Sequence, residues 1–454
     1  MTTTSCESKT PMAPLGEVTQ VVEHFFRHES GKMISTLTRI FGIEHLTRAE
    51  DVVQETLARA LQTWPYYGIP RNPAAWITQV AKNLALDLIR REKLFHNKET
   101  EIARWIEQDS ATATADTAVF SDKEITDDRL RMMFVCCHPM LSQEAHVALA
   151  LKTLCGFSPG EIARAFLTSE AAIAKRLTRA KQKIREARVP FEIPAGEELA
   201  QRLDGVLQTL YLLFNEGYKA SAGEQLIREE LCHEAIRLTA LLAEHPASDG
   251  PRTHALLALM FLNGARLPAR LDQDGNILSL KEQNRSCWDQ AMIARGLFHL
   301  MQSTTGDEIS EYHLQAAIAA SHCAAKDYQS TDWRHILSLY DRLVEINDSP
   351  VIVLNRAVAV ASVHGPRAGI EAVKAIQDRQ ELNSYYLFYA VMGEFEADLN
   401  NREAASNYFR KSLELTTIKS EQMFMSKKLK KLEAGDLNAT NVAPRRKRHE
   451  QRAE

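Results

Sequence analysis

The sequence predicts an all-α protein. Apolar residues recur at three- and four-residue intervals along most of the chain, and alternating strand patterns are nearly absent. Pro, Gly and Ser clusters fall between stretches of helical length. The chain has 454 residues, with 55 Lys+Arg against 59 Asp+Glu, and is 45% hydrophobic and 25% charged. That balance excludes a collagen-like or wholly disordered chain and a uniformly basic nucleic-acid coat. At roughly 150 residues per domain, the length allows about three domains. No run of about 18 apolar residues occurs, so no membrane span is expected. The polar start, Met1 to Leu15, does not read as a signal peptide. Seven scattered cysteines without C-x-x-C spacing point to reduced thiols and a cytoplasmic location.

The elements follow in order. Residues 1–14 read as a disordered tail and 15–95 as a helical block. Residues 96–127 are polar and acidic, the composition of a linker. A second helical block fills 128–190, Pro190 and Pro194 punctuate the chain, and helices continue over 191–435. A disordered basic tail, 436–454, contains Arg445-Arg446-Lys447-Arg448. Residues 1–190 carry a net charge of +2 and the remainder −6. Ala171 to Arg188 holds seven basic residues and one acid, the densest structured basic segment.

In the first block, Ala49 to Leu61 forms an amphipathic helix. Val52, Val53, Thr56, Leu57 and Leu61 can pack inward, which leaves Asp51, Gln54, Glu55 and Arg59 for a partner. The next helix, Asn72 to Arg91, repeats apolar residues at Trp76, Val80, Leu84 and Leu88. Its outer face offers Gln79, Lys82, Asn83, Arg90 and Arg91. The connecting loop, Thr63 to Asn72, combines Tyr66 and Tyr67 with Arg71. Aromatic faces beside a cation suit unpaired bases. Trp64 and Trp76 are assigned to the core.

In the second block, Ser158-Pro159-Gly160-Glu161 starts a helix. Ser158 and Glu161 can exchange hydrogen bonds as a capping box, and Pro159 suits the first helical position. A short turn, Leu167-Thr168-Ser169, leads to a helix with Ile173, Leu177 and Ala180 inward and Lys175, Arg176, Arg179 and Lys183 outward. Two short helices, the second basic, describe a helix-turn-helix whose second helix enters the major groove. A solvated cationic helix in an ordinary bundle is the alternative at this point.

These strings carry a resemblance. Ala49-Glu50-Asp51-Val52-Val53-Gln54-Glu55-Thr56, Pro73-Ala74-Ala75-Trp76-Ile77 and Ala81-Lys82-Asn83 through Arg90-Arg91 resemble region 2 of bacterial sigma factors. Glu161-Ile162-Ala163 with Ile173 through Lys181 resembles their region 4. The class is the sigma-70 family, extracytoplasmic-function type. The resemblance implies binding to core RNA polymerase and promoter-specific initiation, with no cofactor. Asp51, Gln54, Glu55 and Arg59 would dock on the clamp helices of the largest subunit, with the flap as a further contact. Tyr66, Tyr67, Arg71, Asn72, Gln79, Lys82, Asn83, Arg90 and Arg91 would recognise and melt the −10 element. Ser169, Glu170, Ala172, Lys175, Arg176, Arg179, Lys181 and Lys183 would meet the −35 element. Ala174 and Lys175 depart from the commoner Lys-Ser pair, so the −35 preference is not transferable.

The resemblance extends to a subgroup with a long tetratricopeptide-like C-terminal region, which shares Cys136-Cys137-His138-Pro139 and Leu212-Leu213-Phe214-Asn215-Glu216-Gly217-Tyr218. Met392-Gly393, Ala405, Phe409 and Ser412 follow that repeat's spacing, and Leu354, Ala368 and Ala372 echo it. The extension is expected to regulate activity, through a protein or ligand partner. Arg270 to Leu278 fails the calcium-loop template and reads as a hairpin turn. Cys136 and Cys137, adjacent on a helix, make poor co-ligands and read as packing, so no metal is expected. No H-E-x-x-H, phosphate loop or nucleophile elbow occurs, so no catalytic residue is assigned and no enzyme is expected. A stand-alone helix-turn-helix regulator and an interaction scaffold are the competing readings.

Overall fold

The computed structural model describes residues 14–91, 128–219 and 227–433, apart from residues 166–167, 190, 193, 195, 247, 274, 307, 377–378 and 417. The expected linker 96–127, the basic tail 436–454 and residues 1–13 lie outside the described residues. The described residues form nineteen α-helices and no strand, the all-α architecture expected. Contacts divide the chain into two compact units, Met1–Gly217 with Glu230–Thr253, and Tyr218–Glu229 with His254–Glu454.

The first unit opens with α1 (Leu15–His28), α2 (Ser30–Phe41), α3 (Leu46–Tyr67) and α4 (Pro73–Arg91). Its core is built from Leu37, Ile40 and Phe41 of α2 and Val52, Val53, Leu57 and Trp64 of α3, all buried. Trp64 meets Trp76 edge-on at 5.3 Å between centroids. The expected inward face of α4 is rotated. Trp76, Val80, Leu84 and Leu88 are only half-buried, whereas Ile77, Ala81 and Ala85 are fully covered. The small side chains at 81 and 85 let the helix sit close against its neighbour, a feature that apolar volume alone conceals.

The second half of this unit holds α5 (Asp128–Cys136), α6 (Gln143–Leu154), α7 (Pro159–Ala165) and α8 (Glu170–Ala187). These helices pack back on the first four through α2 and the 3-10 turn Ile43–His45. At one point the approach is extreme: a Cβ built on Gly31 would lie 1.8 Å from the carbonyl oxygen of Leu154. Asp128 anchors the joint, accepting from Thr36 Oγ1 at 3.1 Å and pairing with Arg39 at 3.4 Å. Two further helices, α9 (Glu197–Tyr218) and α10 (Glu229–Glu244), lie mostly in this unit. Arg202 of α9 donates to the Phe134 carbonyl, Gln143 donates to Gln208, and Arg129 pairs with Glu234. The division thus falls within the segment expected to start at 191, because α9 and α10 make these contacts with α5 and α6.

In the second unit, α11 (Pro251–Gly264) enters from the first and is followed by α12 (Gln290–Gln302), α13 (Glu311–Ala324) and α14 (Trp333–Ile346). Then come α15 (Pro350–His364), α16 (Pro366–Lys374), α17 (Tyr386–Asp398), α18 (Arg402–Leu415) and α19 (Lys419–Glu433). Helices α13 to α18 pack as successive antiparallel pairs, the arrangement the repeat spacing predicts. Gly393 explains its place in the pattern: an added Cβ would meet Phe409 at 2.6 Å. In the earlier pair the register slips by one. Gly369, Ile370 and Val373 are buried, while Ala368 and Ala372 are half-exposed. Leu271 and Ile277 form an isolated antiparallel bridge, and Asp272 binds the Asn276 amide and side chain, so the hairpin reading of this turn holds.

Candidate nucleic-acid interface

The helix-turn-helix is assembled from local signals. Ser158 N–H donates to Glu161 Oε2 at 2.8 Å, and Glu161 N–H donates to Ser158 Oγ at 3.2 Å, so the capping box closes from both sides. Ser169 caps α8 by accepting from the Ala172 amide at 3.3 Å. Ile173, Leu177, Ala180 and Ile184 are buried along one stripe of α8. Ser169, Glu170, Ala172, Lys175, Arg179 and Lys183 are exposed, and Arg176 is half-buried beside them. Lys175, Arg176, Arg179 and Lys183 line a cleft of about 390 Å³ with Leu141, Ser142 and Ala145. Ser142 is the N-cap of α6 and makes no side-chain cap. The start of α6, where the Ala145 amide already donates to the Ser142 carbonyl at 2.9 Å, thus opens beside four cations, and the positive end of the helix adds to a setting suited to a phosphate. Ser142 gave no signal in sequence, because the cleft exists only once α6 and α8 pack.

Lys181 differs from its neighbours. Its ammonium pairs with Glu50 of α3, whose side chain is 11% exposed. Glu50 also accepts from Thr153 at 3.4 Å. A residue expected on DNA is thus engaged within the protein. Glu50 and Asp51 are adjacent in sequence, yet the helical turn of about 100° per residue sends one inward and the other outward.

On α3, Asp51, Gln54, Glu55 and Arg59 are all exposed, and Arg59 donates to Glu55 at 2.9 Å one turn away. Leu61, expected inside, is 39% exposed instead. It lies about 20° from Gln54 and about 160° from Arg59 around the helix, so it borders one edge of that polar face. The tyrosines stand on the last turn of α3 rather than in a loop, because the helix runs through Pro65 to Tyr67 and ends at Gly68. Tyr66 and Tyr67 are 70% and 78% exposed. Such rings have little to gain from water and are available for stacking. Arg71 is exposed, and Asn72 caps α4 by accepting from the Ala75 amide at 3.1 Å. Gln79 donates to Asn83 at 3.0 Å on the exposed side. Lys82, expected on that outer face, is buried at 3% exposure beside Ala81 and Ala85, where the rotation of the helix carries it. The side chains of Arg90 and Arg91 lie outside the described residues.

Cys136 and Cys137 are buried in α5 and the turn after it, and burial pushes the Cys137 thiol up to about 12. Cys137 packs against Gly205 of α9, where a Cβ would lie 3.0 Å from the sulfur. This is packing, as the sequence suggested. No His/Cys/Asp/Glu cluster able to hold a metal occurs among the described residues. No helix among them is long and apolar enough to cross a membrane.

A helical bundle with an exposed aromatic turn, followed by a capped helix-turn-helix whose second helix is basic, has the form of a DNA-binding class of protein. Comparison with known proteins agrees. Residues 25–95 match Sigma-70 region 2, residues 131–184 match Sigma-70, region 4, and residues 202–304 match a family of unknown function, DUF6596. The chain is 37% identical over 402 residues to an uncharacterized protein of Rhizobium meliloti (strain 1021), an alignment spanning 88% of this chain and 93% of that one. No solved structure matches. The chain belongs to the sigma-70 family, as an extracytoplasmic-function-like sigma factor with a C-terminal extension. Its role is that of a sigma factor, with core RNA polymerase and promoter DNA as partners.

Proposed function

We propose a division of labour within that role. The face of Asp51, Gln54, Glu55 and Arg59, bordered by Leu61, docks on the clamp helices of the largest polymerase subunit, and region 4 lies near the flap. Tyr66, Tyr67, Arg71, Asn72, Gln79 and Asn83 receive the −10 element, with an unpaired base on an exposed tyrosine. Arg90 and Arg91 extend that track. The exposed face of α8 reads the −35 element, and the cleft at the start of α6 holds a flanking phosphate. The carrying observation is this cleft: four cations and the start of α6 converge on one side of the recognition helix.

Size decides the next point. The two promoter elements lie about 25 base pairs apart, roughly 85 Å of duplex at about 34 Å per turn. A compact unit of about 240 residues is roughly 45 Å across. Both elements cannot be reached while α2 packs on α6 and Glu50 holds Lys181. Regions 2 and 4 therefore part on the promoter, and Lys181 is freed for phosphate at that moment. The intervening residues 92–127 span up to about 120 Å when extended, which permits the separation. The extension regulates this step, because α9 and α10 hold α5 and α6 through Arg202, Gln208 and Glu234.

The test is promoter-specific run-off transcription by purified core polymerase with the full chain. A discrete start site that disappears with Arg176→Glu plus Arg179→Glu is the expected result. Tight duplex binding without polymerase, and no start site on any genomic promoter, would overturn the reading.

A further inference from the structure

The second unit gathers a buried and a half-buried arginine around one tryptophan, and neither forms an ion pair with a described acid. Arg266 follows the end of α11, and Arg285 opens the 3-10 turn Arg285–Cys287. Their guanidinium carbons lie 5.4 Å and 5.1 Å from the centre of the Trp288 ring, which is itself buried. Arg285 spends its terminal nitrogens on the carbonyls of His322 and Ala325, at 2.7 and 3.0 Å, and on Thr331 at 2.9 Å. Those carbonyls close the C-terminal end of α13, where the helix dipole supplies about half a negative charge. Beyond its place over Trp288, the Arg266 side chain has no hydrogen-bond or ion-pair partner among the described residues. Neither arginine pairs with a described carboxylate.

Buried charge is ordinarily paired, because an ion taken out of water without a partner loses its hydration and gains nothing in return. Asp327 acts on Arg285 without an ion pair, so two neighbouring guanidiniums face one exposed carboxylate and a helix end. The donors that remain are clustered as well. Arg266 Nε, Arg285 Nε, Trp288 Nε1 and His322 Nδ1 are all buried and make no hydrogen bond. These four unmet groups belong to one neighbourhood. Burial, and then the two arginines, hold His322 neutral, with its pKa pushed down to about 3.

We infer that Arg266, Arg285 and Trp288 form a binding site for a small oxyanion, the phosphate or carboxylate group of a ligand of the second unit. Arg285 is a positioning residue, fixed by the end of α13 and charging the site from beneath. Arg266, half-exposed and unspent, is the group that closes on the anion. A planar guanidinium offers paired N–H donors to such a group, and the indole N–H supplies a neutral third. The site lies within the DUF6596 match at Arg266, Arg285 and Trp288, a family with no stated function. The inference is independent of the roles given to regions 2 and 4.

The test uses the full chain at constant ionic strength, with sodium chloride as reference. Binding of inorganic phosphate, of a short peptide with a free C-terminal carboxylate and of the same peptide amidated is followed by calorimetry. Phosphate binding alone points to a phosphorylated ligand, and binding of the free-acid but not the amidated peptide points to a chain terminus; either supports the site. Arg266→Gln should weaken the bound anion at least about tenfold, the effect of one charged hydrogen bond. Lys175→Gln plus Arg179→Gln removes any anion held by the cleft on α8 and should leave the Arg266-dependent binding in place. Arg285→Gln unties the end of α13 and serves only to report folding. Equal binding by wild type and Arg266→Gln overturns the assignment. So does loss of binding in the α8 variant, or the absence of binding by all three probes at millimolar concentration.

Discussion

Gly31→Ala sets helix propensity against packing, and the two predict opposite signs. In a free helix surface, replacing Gly by Ala gains roughly 0.5–1 kcal/mol. At Gly31 the new methyl would lie 1.8 Å from the Leu154 oxygen, 2.7 Å from its carbonyl carbon and 3.0 Å from its Cα. All three are backbone atoms, so no rotamer change relieves the contact. To restore even a tight 3.0 Å contact, α2 and α6 must part by about 1.2 Å. That movement loosens Ile34 and Leu37 on one side and Leu151 on the other, all buried. Overpacking of this kind costs about 1–3 kcal/mol, and more when backbone must move. Taking the upper figure and subtracting the propensity gain leaves a net loss of about 2 kcal/mol. For a unit of about 240 residues that lowers Tm by roughly 4–8 °C. Differential scanning calorimetry of the full chain resolves it. Gly16→Ala is the control: on α1 an added Cβ meets nothing within 4 Å, so the melt should stay or rise slightly. A Gly31→Ala protein that melts at or above wild type would refute the close α2–α6 joint.

Other tests follow from the same geometry. Glu50→Gln and Lys181→Met should each cost about 1–2 kcal/mol, between the ranges for exposed and buried pairs, and their double-mutant cycle should show coupling above about 0.5 kcal/mol; near-additive losses would remove the latch. Asp51→Arg should weaken core polymerase binding in a pull-down titration while changing stability by no more than about 0.5 kcal/mol, because the site is exposed. Truncation after Pro194 strips α9 from α5 and should abolish run-off transcription, whereas truncation after Thr253 retains all of the first unit and should fold. His299, stacked on Phe261 and His254, has its pKa pushed down to about 4, chiefly by burial and then by His254. The unfolded chain takes up that proton near 6.5 and the folded chain only near 4. Its contribution is therefore present above about pH 6.5 and is lost as pH falls toward 4. His299→Phe should flatten that part of a melting-versus-pH profile measured from pH 7 to 4.

The sequence made periodic features legible and left pairwise ones hidden. The buried stripe of α8, the capping box at Ser158 and the outward set on α3 all follow from spacing along one helix. Each needs no knowledge of a neighbour. Leu61 and Lys82 break the rule that apolar faces in and charge faces out, and both do so where another surface decides. Lys82 is buried because small alanines at 81 and 85 draw α4 inward. Leu61 is exposed at one edge of a polar face, the composition of a surface that another protein covers. Glu50 and Lys181 stand 131 residues apart, and nothing local marks them as partners. The same pairing that escaped the sequence is what makes the proposed mechanism conditional. A charge on the recognition helix that is spent inside the protein can reach DNA only after the regions part, so affinity for promoter and opening of the joint are linked. Loss of the pair by Glu50→Gln should therefore weaken the fold and strengthen promoter binding together, a combination that an ordinary surface ion pair would not produce.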